Sequence, residues 1–212
     1  MLQLTKFSAF LFACLLLLGG FLWLLIPTSL ALQLNEENGF IEILASCFLV
    51  SAGFSSLYLF LKNRLYGWDV YSFFMFAAFA RELDWHKDFT SMSVFKSRFY
   101  LSPDVPITEK FIGGIVICTL LIATYFVVQK LKLLWRLFLD KNLTVTLGFT
   151  ACFLILLGKI LDGFFRYFPS LKELRPVYGD HLRLFEEGLE MVAAGLFFLI
   201  PILIGRFFKR QP

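Results

Sequence analysis

Six stretches of this chain, residues 7–35, 43–61, 70–80, 111–129, 142–158 and 191–205, contain no Asp, Glu, Lys or Arg. A water-soluble core has no room for so much uninterrupted apolar sequence, whereas a bilayer requires about 20 apolar residues for each helical crossing. Composition agrees: 58% of the 212 residues are hydrophobic and 17% are charged. Soluble domains run nearer ~45 to 50% apolar, with about a quarter of residues charged. The chain is expected to be an all-α, polytopic membrane protein, with about six transmembrane helices in one bundle and a single domain over residues 1–212.

Five of the stretches are long enough, or nearly so with their flanks, to cross a core of about 30 Å. The third is short. It crosses only if its helix continues through the Arg-Glu-Leu-Asp-Trp-His run from Arg81 to His86, and a re-entrant hairpin is its rival. Tyr66, Trp68 and Tyr71 at one end and Trp85 at the other suggest interfacial aromatic belts. The first stretch resembles a secretory signal, with Lys6 ahead of it and Ser29-Leu30-Ala31 near its end. Its apolar run exceeds the ~7 to 15 residues of a signal core, so it is read as a retained helix.

Basic residues in short loops set the orientation. Lys62 and Arg64 follow the second stretch, Lys130, Lys132, Arg136 and Lys141 the fourth, and Arg206, Lys209 and Arg210 the sixth. The Asn35-Glu36-Glu37-Asn38 loop carries no base. Both termini are therefore expected in the cytoplasm. The net charge of +4 does not indicate nucleic acid, because apolar runs interrupt the bases. Pro103 and Pro106 break the segment before the fourth span, and Pro169, Pro176 and Gly179 the one before the sixth. The mixed segment from Phe89 to Tyr100 suits an interfacial position. Cys14, Cys47, Cys118 and Cys152 each lie in a different apolar run and are expected to be free thiols.

Ionisable groups within spans cost about 2.5 to 3.5 kcal/mol each on insertion scales, so their positions carry the functional argument. In this topology they gather toward the external side. Glu42 starts the second helix; Arg81, Glu82, Asp84 and His86 end the third; Lys159, Asp162 and Arg166 end the fifth; Glu186, Glu187 and Glu190 open the sixth. Glu82 and His86 are four apart on one face, and Lys159, Asp162 and Arg166 form a ladder at spacings of three and four. Arg166, Lys87, Arg183 and Glu186 read as interfacial anchors, and Lys159 with Asp162 reads equally well as a structural intrahelical pair. Acids at the start of the sixth helix also suit its macrodipole.

Catalysis, where present, would use Glu82 or Glu190 as acid or base and His86 as proton carrier or ligand. Glu42, Arg81, Lys159, Asp162 and Glu187 are the candidate ligand-binding groups. A mixed nitrogen and oxygen metal shell from Glu82, His86 and Glu187 or Glu190 is conceivable, but no HExxH pattern occurs and the chain has only two histidines. No motif names a cofactor. Ser91, Ser93 and Ser97 lack the surroundings of a nucleophile elbow.

The arrangement Glu37-Asn38-Gly39-x-x-Glu42, Arg81-Glu82-x-x-Trp85-His86 and Glu186-Glu187-x-Leu189-Glu190 resembles a loose class of uncharacterised bacterial multi-pass inner-membrane proteins. That resemblance implies a bacterial cytoplasmic membrane and no particular activity. Membrane ceramidase-like hydrolases need more histidines than this chain has. Prenyl-protein processing proteases place an Arg four residues after a Glu-Glu pair, where Met191 stands here. The leading expectation is a polar site at the external face that binds or hydrolyses a lipid-like or small polar ligand. A transporter or proton-pathway component and a structural subunit of a membrane complex are its alternatives. Polar groups continuing to the cytoplasmic face would favour the transporter, and the sequence lacks them.

Overall fold

The structure, a computed structural model, describes residues 39–63, 67–83, 85, 90 and 92–208. Numbered from the first described helix, the elements are α1 (Phe40–Asn63), α2 (Trp68–Glu82), α3 (Ser97–Leu101), α4 (Ile107–Leu139), α5 (Leu143–Asp162) and α6 (Phe164–Tyr167). A 3-10 segment (Pro169–Leu174) and α7 (Arg175–Phe208) complete the chain. All regular structure among the described residues is helical.

Among the described residues, four helices are long and apolar enough to cross a membrane: Phe40–Lys62, Ile107–Leu139, Leu143–Asp162 and Tyr178–Gly205. They correspond to the second, fourth, fifth and sixth stretches of the sequence. The first stretch lies outside the described residues. The third forms α2, whose 15 residues reach about 22 Å at 1.5 Å per residue. Its helix ends at Glu82, with Leu83 N–H bonded to Phe79 O at 3.1 Å.

The chain divides into two compact units. One comprises residues 1–43 and 153–192, the other residues 44–152 and 193–212.

In the second unit, the buried positions Ala45, Leu49, Ala52, Ser56 and Leu59 recur at spacings of four and three along α1. They make one helical seam. Small residues let α2 approach closely. A Cβ on Gly53 would lie 2.8 Å from Phe76 Cε1, and the Ser72 hydroxyl donates to Gly53 O at 2.8 Å. Ser56 donates to the carbonyls of Ala52 and Gly53, so its buried hydroxyl is satisfied within its own helix. The later part of α7 packs on α1 through Phe48 stacked on Phe198, Gly195 beside Phe48, and Gly205 beside Leu59. The paired positions rise together in both helices, so α1 and this part of α7 run in the same direction.

Residues 92–105 do not lie extended. Val94, Phe99 and Val105 form a small apolar core with Met92 and Tyr100, and it rests on Gly113 of α4. A Cβ at Gly113 would stand 2.9 Å from Phe99 Cε1. The described residues of the Phe89 to Tyr100 segment thus pack as a folded plug on α4. Pro106 then caps the start of α4. Cys47, Cys118 and Cys152 are free thiols; Cys14 lies outside the described residues.

A correction concerns α7. The prolines and glycine before the sixth stretch suggested a break, with the helix opening near Glu186. The helix instead begins at Arg175. Pro176 falls in its first turn, where a missing N–H removes no intrahelical bond. Glu186, Glu187 and Glu190 therefore lie well inside a 34-residue helix, and the macrodipole does not account for three acids there.

Candidate functional site

Two carboxylates of the first unit converge on Lys159, in the last turn of α5. Glu186 and Glu190 are four residues apart and share one face of α7. Both reach the same ammonium: Lys159 Nζ donates to Glu186 Oε1 at 2.7 Å and stands 2.9 Å from Glu190 Oε1. The two carboxylate side chains are only 11% and 14% exposed, against 44% for Lys159. Gly158 permits this approach, since a Cβ there would sit 3.5 Å from Glu186 Cγ and 3.9 Å from Glu190 Cγ. Leu154, Leu184 and Leu189 are buried in the same unit. Apolar surroundings strengthen attraction between charges and make an uncompensated one costly.

Glu187 is turned about 100° from Glu186 around the helix. It takes a second ion pair, accepting from Arg183 Nε at 3.1 Å one turn earlier. Glu42, in the first turn of α1, is within electrostatic reach of Glu187. Asp162, at the end of α5, is within reach of Glu186. Among the described residues, Glu42, Asp162, Glu186, Glu187 and Glu190 thus gather around Lys159 and Arg183.

Of the residues selected from sequence, Glu42, Lys159, Asp162, Glu187 and Glu190 belong to this unit. Arg81 and Glu82 belong to the other, in the last turn of α2, where Arg81 is exposed and Glu82 half-buried. His86 lies outside the described residues. Lys159 is engaged across helices with Glu186 and Glu190 rather than along α5 with Asp162. Arg166 belongs to α6, beyond the turn at Gly163 that ends the ladder.

The residue that sequence reasoning missed is Glu186. Read as an interfacial anchor, it is the most buried charged group among the described residues, at 8% exposure. The signal was its four-residue spacing to Glu190, which gives one cation two carboxylates on a single face. Arg183, also read as an anchor, fixes Glu187 instead. Among the described residues no group of three or more His, Cys, Asp and Glu is placed to hold a metal ion. No family model, curated protein or solved structure matches this chain.

Proposed function

We propose that this chain is a six-span protein of a bacterial cytoplasmic membrane, with both termini cytoplasmic. Its external-side polar cluster binds a small polar or lipid-like ligand through a positively charged group. The observation that carries the binding role is Lys159 held between two largely buried carboxylates. The paired carboxylates present acceptor oxygens to a cationic group such as a ligand amine. Glu42, Asp162 and Glu187 add to the negative potential, which favours cationic ligands over anionic ones.

Binding is preferred to turnover by Glu82, His86 and Glu190 because it needs no proton carrier aligned with Glu190, whose carboxylate Lys159 already engages. The span count draws support from helix direction. Parallel packing of α1 and α7 requires an odd number of crossings between them. Helices α4 and α5 supply two, and α2, about 22 Å long, supplies the third where the bilayer thins to meet it. The apolar stretch at residues 7–35 supplies the remaining crossing of the six.

Mass spectrometry of small molecules and lipids that co-purify with the protein tests the site. Wild-type protein is expected to retain an amine-bearing molecule that Glu186→Gln/Glu190→Gln protein loses. Equal retention by both proteins, or none by wild type, rejects the reading.

A further inference from the structure

The charge-free part of α4, residues 111–129, is 19 residues long and spans about 28 Å, nearly a whole hydrocarbon core. The helix does not stop there. It continues from Lys130 to Leu139, about 15 Å further, and this extension carries Lys130, Lys132 and Arg136, all exposed. Asp140, Lys141 and Asn142 then turn the chain, with Lys141 in the left-handed region at φ 57°. Asn142 accepts the Val145 N–H at 3.3 Å, and α5 starts at once with another charge-free run, residues 142–158.

These two facts oppose each other. The basic extension of α4 belongs outside the hydrocarbon, while the apolar start of α5, directly after the turn, belongs inside it. Both are satisfied when the extension stays at the depth of the lipid headgroups, through tilt of α4, rather than projecting into water. The aromatic side chains there agree. Trp135, 52% exposed, stacks on Phe138 and meets Phe149 of α5 edge-on. Trp at a membrane surface prefers this layer.

The bases have no internal use. Among the described residues Lys159 and Arg183 are ion-paired, whereas Lys130, Lys132 and Arg136 make no ion pair. Lys132 and Arg136 are also one turn apart on the same face, a repulsive spacing unless an anion lies between them.

We infer that the basic extension of α4, with Lys130, Lys132 and Arg136 beside Trp135, is a docking surface for the headgroups of anionic phospholipids. Each base at a charged membrane surface contributes roughly a 5-fold preference, so the three together select acidic lipid over zwitterionic lipid. The surface is independent of the Lys159 cluster.

The test uses the full chain in nanodiscs of equimolar phosphatidylglycerol and phosphatidylcholine, with native mass spectrometry counting the lipids that stay bound. Wild-type protein should retain phosphatidylglycerol over phosphatidylcholine by about 5-fold or more. Lys130→Gln/Lys132→Gln/Arg136→Gln should fall to near parity. Lys130→Arg/Lys132→Arg should keep the preference, as should Lys96→Gln/Arg98→Gln, which removes exposed bases elsewhere. Should the triple variant fail to fold, Lys132→Gln alone decides, with an expected loss of about 5-fold. Parity in wild type, full preference in the glutamine variants, or equal loss in Lys96→Gln/Arg98→Gln overturns the inference.

Discussion

The Tyr71 hydroxyl donates a 2.7 Å hydrogen bond to the carbonyl of Phe197, which is the acceptor that Pro201, four residues later and without an N–H, leaves unpaired inside α7. A buried helix tolerates proline when a neighbour satisfies the freed carbonyl, and here α2 supplies that neighbour. Tyr71 is therefore a link between helices as well as a ring packed at a tilt beside Trp68.

Tyr71→Phe keeps the ring contacts with Trp68 and Phe197 and removes only the donor. It is expected to destabilise the detergent-solubilised protein by about 1 to 2 kcal/mol. In a Pro201→Ala background the new N–H of residue 201 can bond Phe197 O, and the same change should cost less than half as much. Equal costs in both backgrounds, measured by denaturant unfolding, would sever the link between Tyr71 and Pro201.

Gly113 and Gly114 are neighbours with opposite expected responses. Alanine at Gly113 meets Phe99, Tyr100 and Val94, the closest atom at 2.9 Å, whereas at Gly114 nothing lies within 4 Å. Gly113→Ala should destabilise by about 1 to 3 kcal/mol by displacing the plug. Gly114→Ala should be neutral or stabilise by up to about 1 kcal/mol through helix propensity. Thermal unfolding of the two variants checks the sign of each.

The sequence made the membrane helices legible because a charge-free run has few other fates, and α1, α4, α5 and α7 fall where the runs do. Its limits were of two kinds. Pro176 and Gly179 suggested a break, yet a proline in a first helical turn costs nothing, so the start of α7 was misplaced. Glu186 looked like an anchor because burial depends on neighbours from other helices, and spacing within one segment does not contain it. Tyr71 shows the same limit: period and composition put it in an aromatic belt, while its hydroxyl answers a proline 130 residues away in sequence.

Topology is open to direct labelling. In protein with all native cysteines replaced, cysteines introduced at Asp104 and Asp140, both exposed, should react with an impermeant maleimide from opposite sides. Asp104 should label in intact cells and Asp140 only after lysis. Labelling of both from outside would remove α4 from the set of spans, and the reverse pattern would invert the orientation.

The ion cluster around Lys159 has a characteristic order of mutational costs. Removing the cation by Lys159→Met leaves Glu186 and Glu190 facing each other on one turn of α7, with their side chains 11% and 14% exposed. Breaking a fully buried pair in this way costs about 3 to 5 kcal/mol; because Lys159 is 44% exposed, about 2 to 3 kcal/mol is expected. Glu186→Gln or Glu190→Gln alone should cost less, since Lys159 keeps one carboxylate and gains an amide oxygen. Adding Glu186→Gln/Glu190→Gln to Lys159→Met should recover at least half of the loss, because the repulsion then disappears. Unfolding of the purified variants in sodium dodecyl sulfate titrations reads this order directly. A Lys159→Met protein as stable as wild type, or a triple variant less stable than Lys159→Met, would mean that the ammonium does not hold the two carboxylates in place.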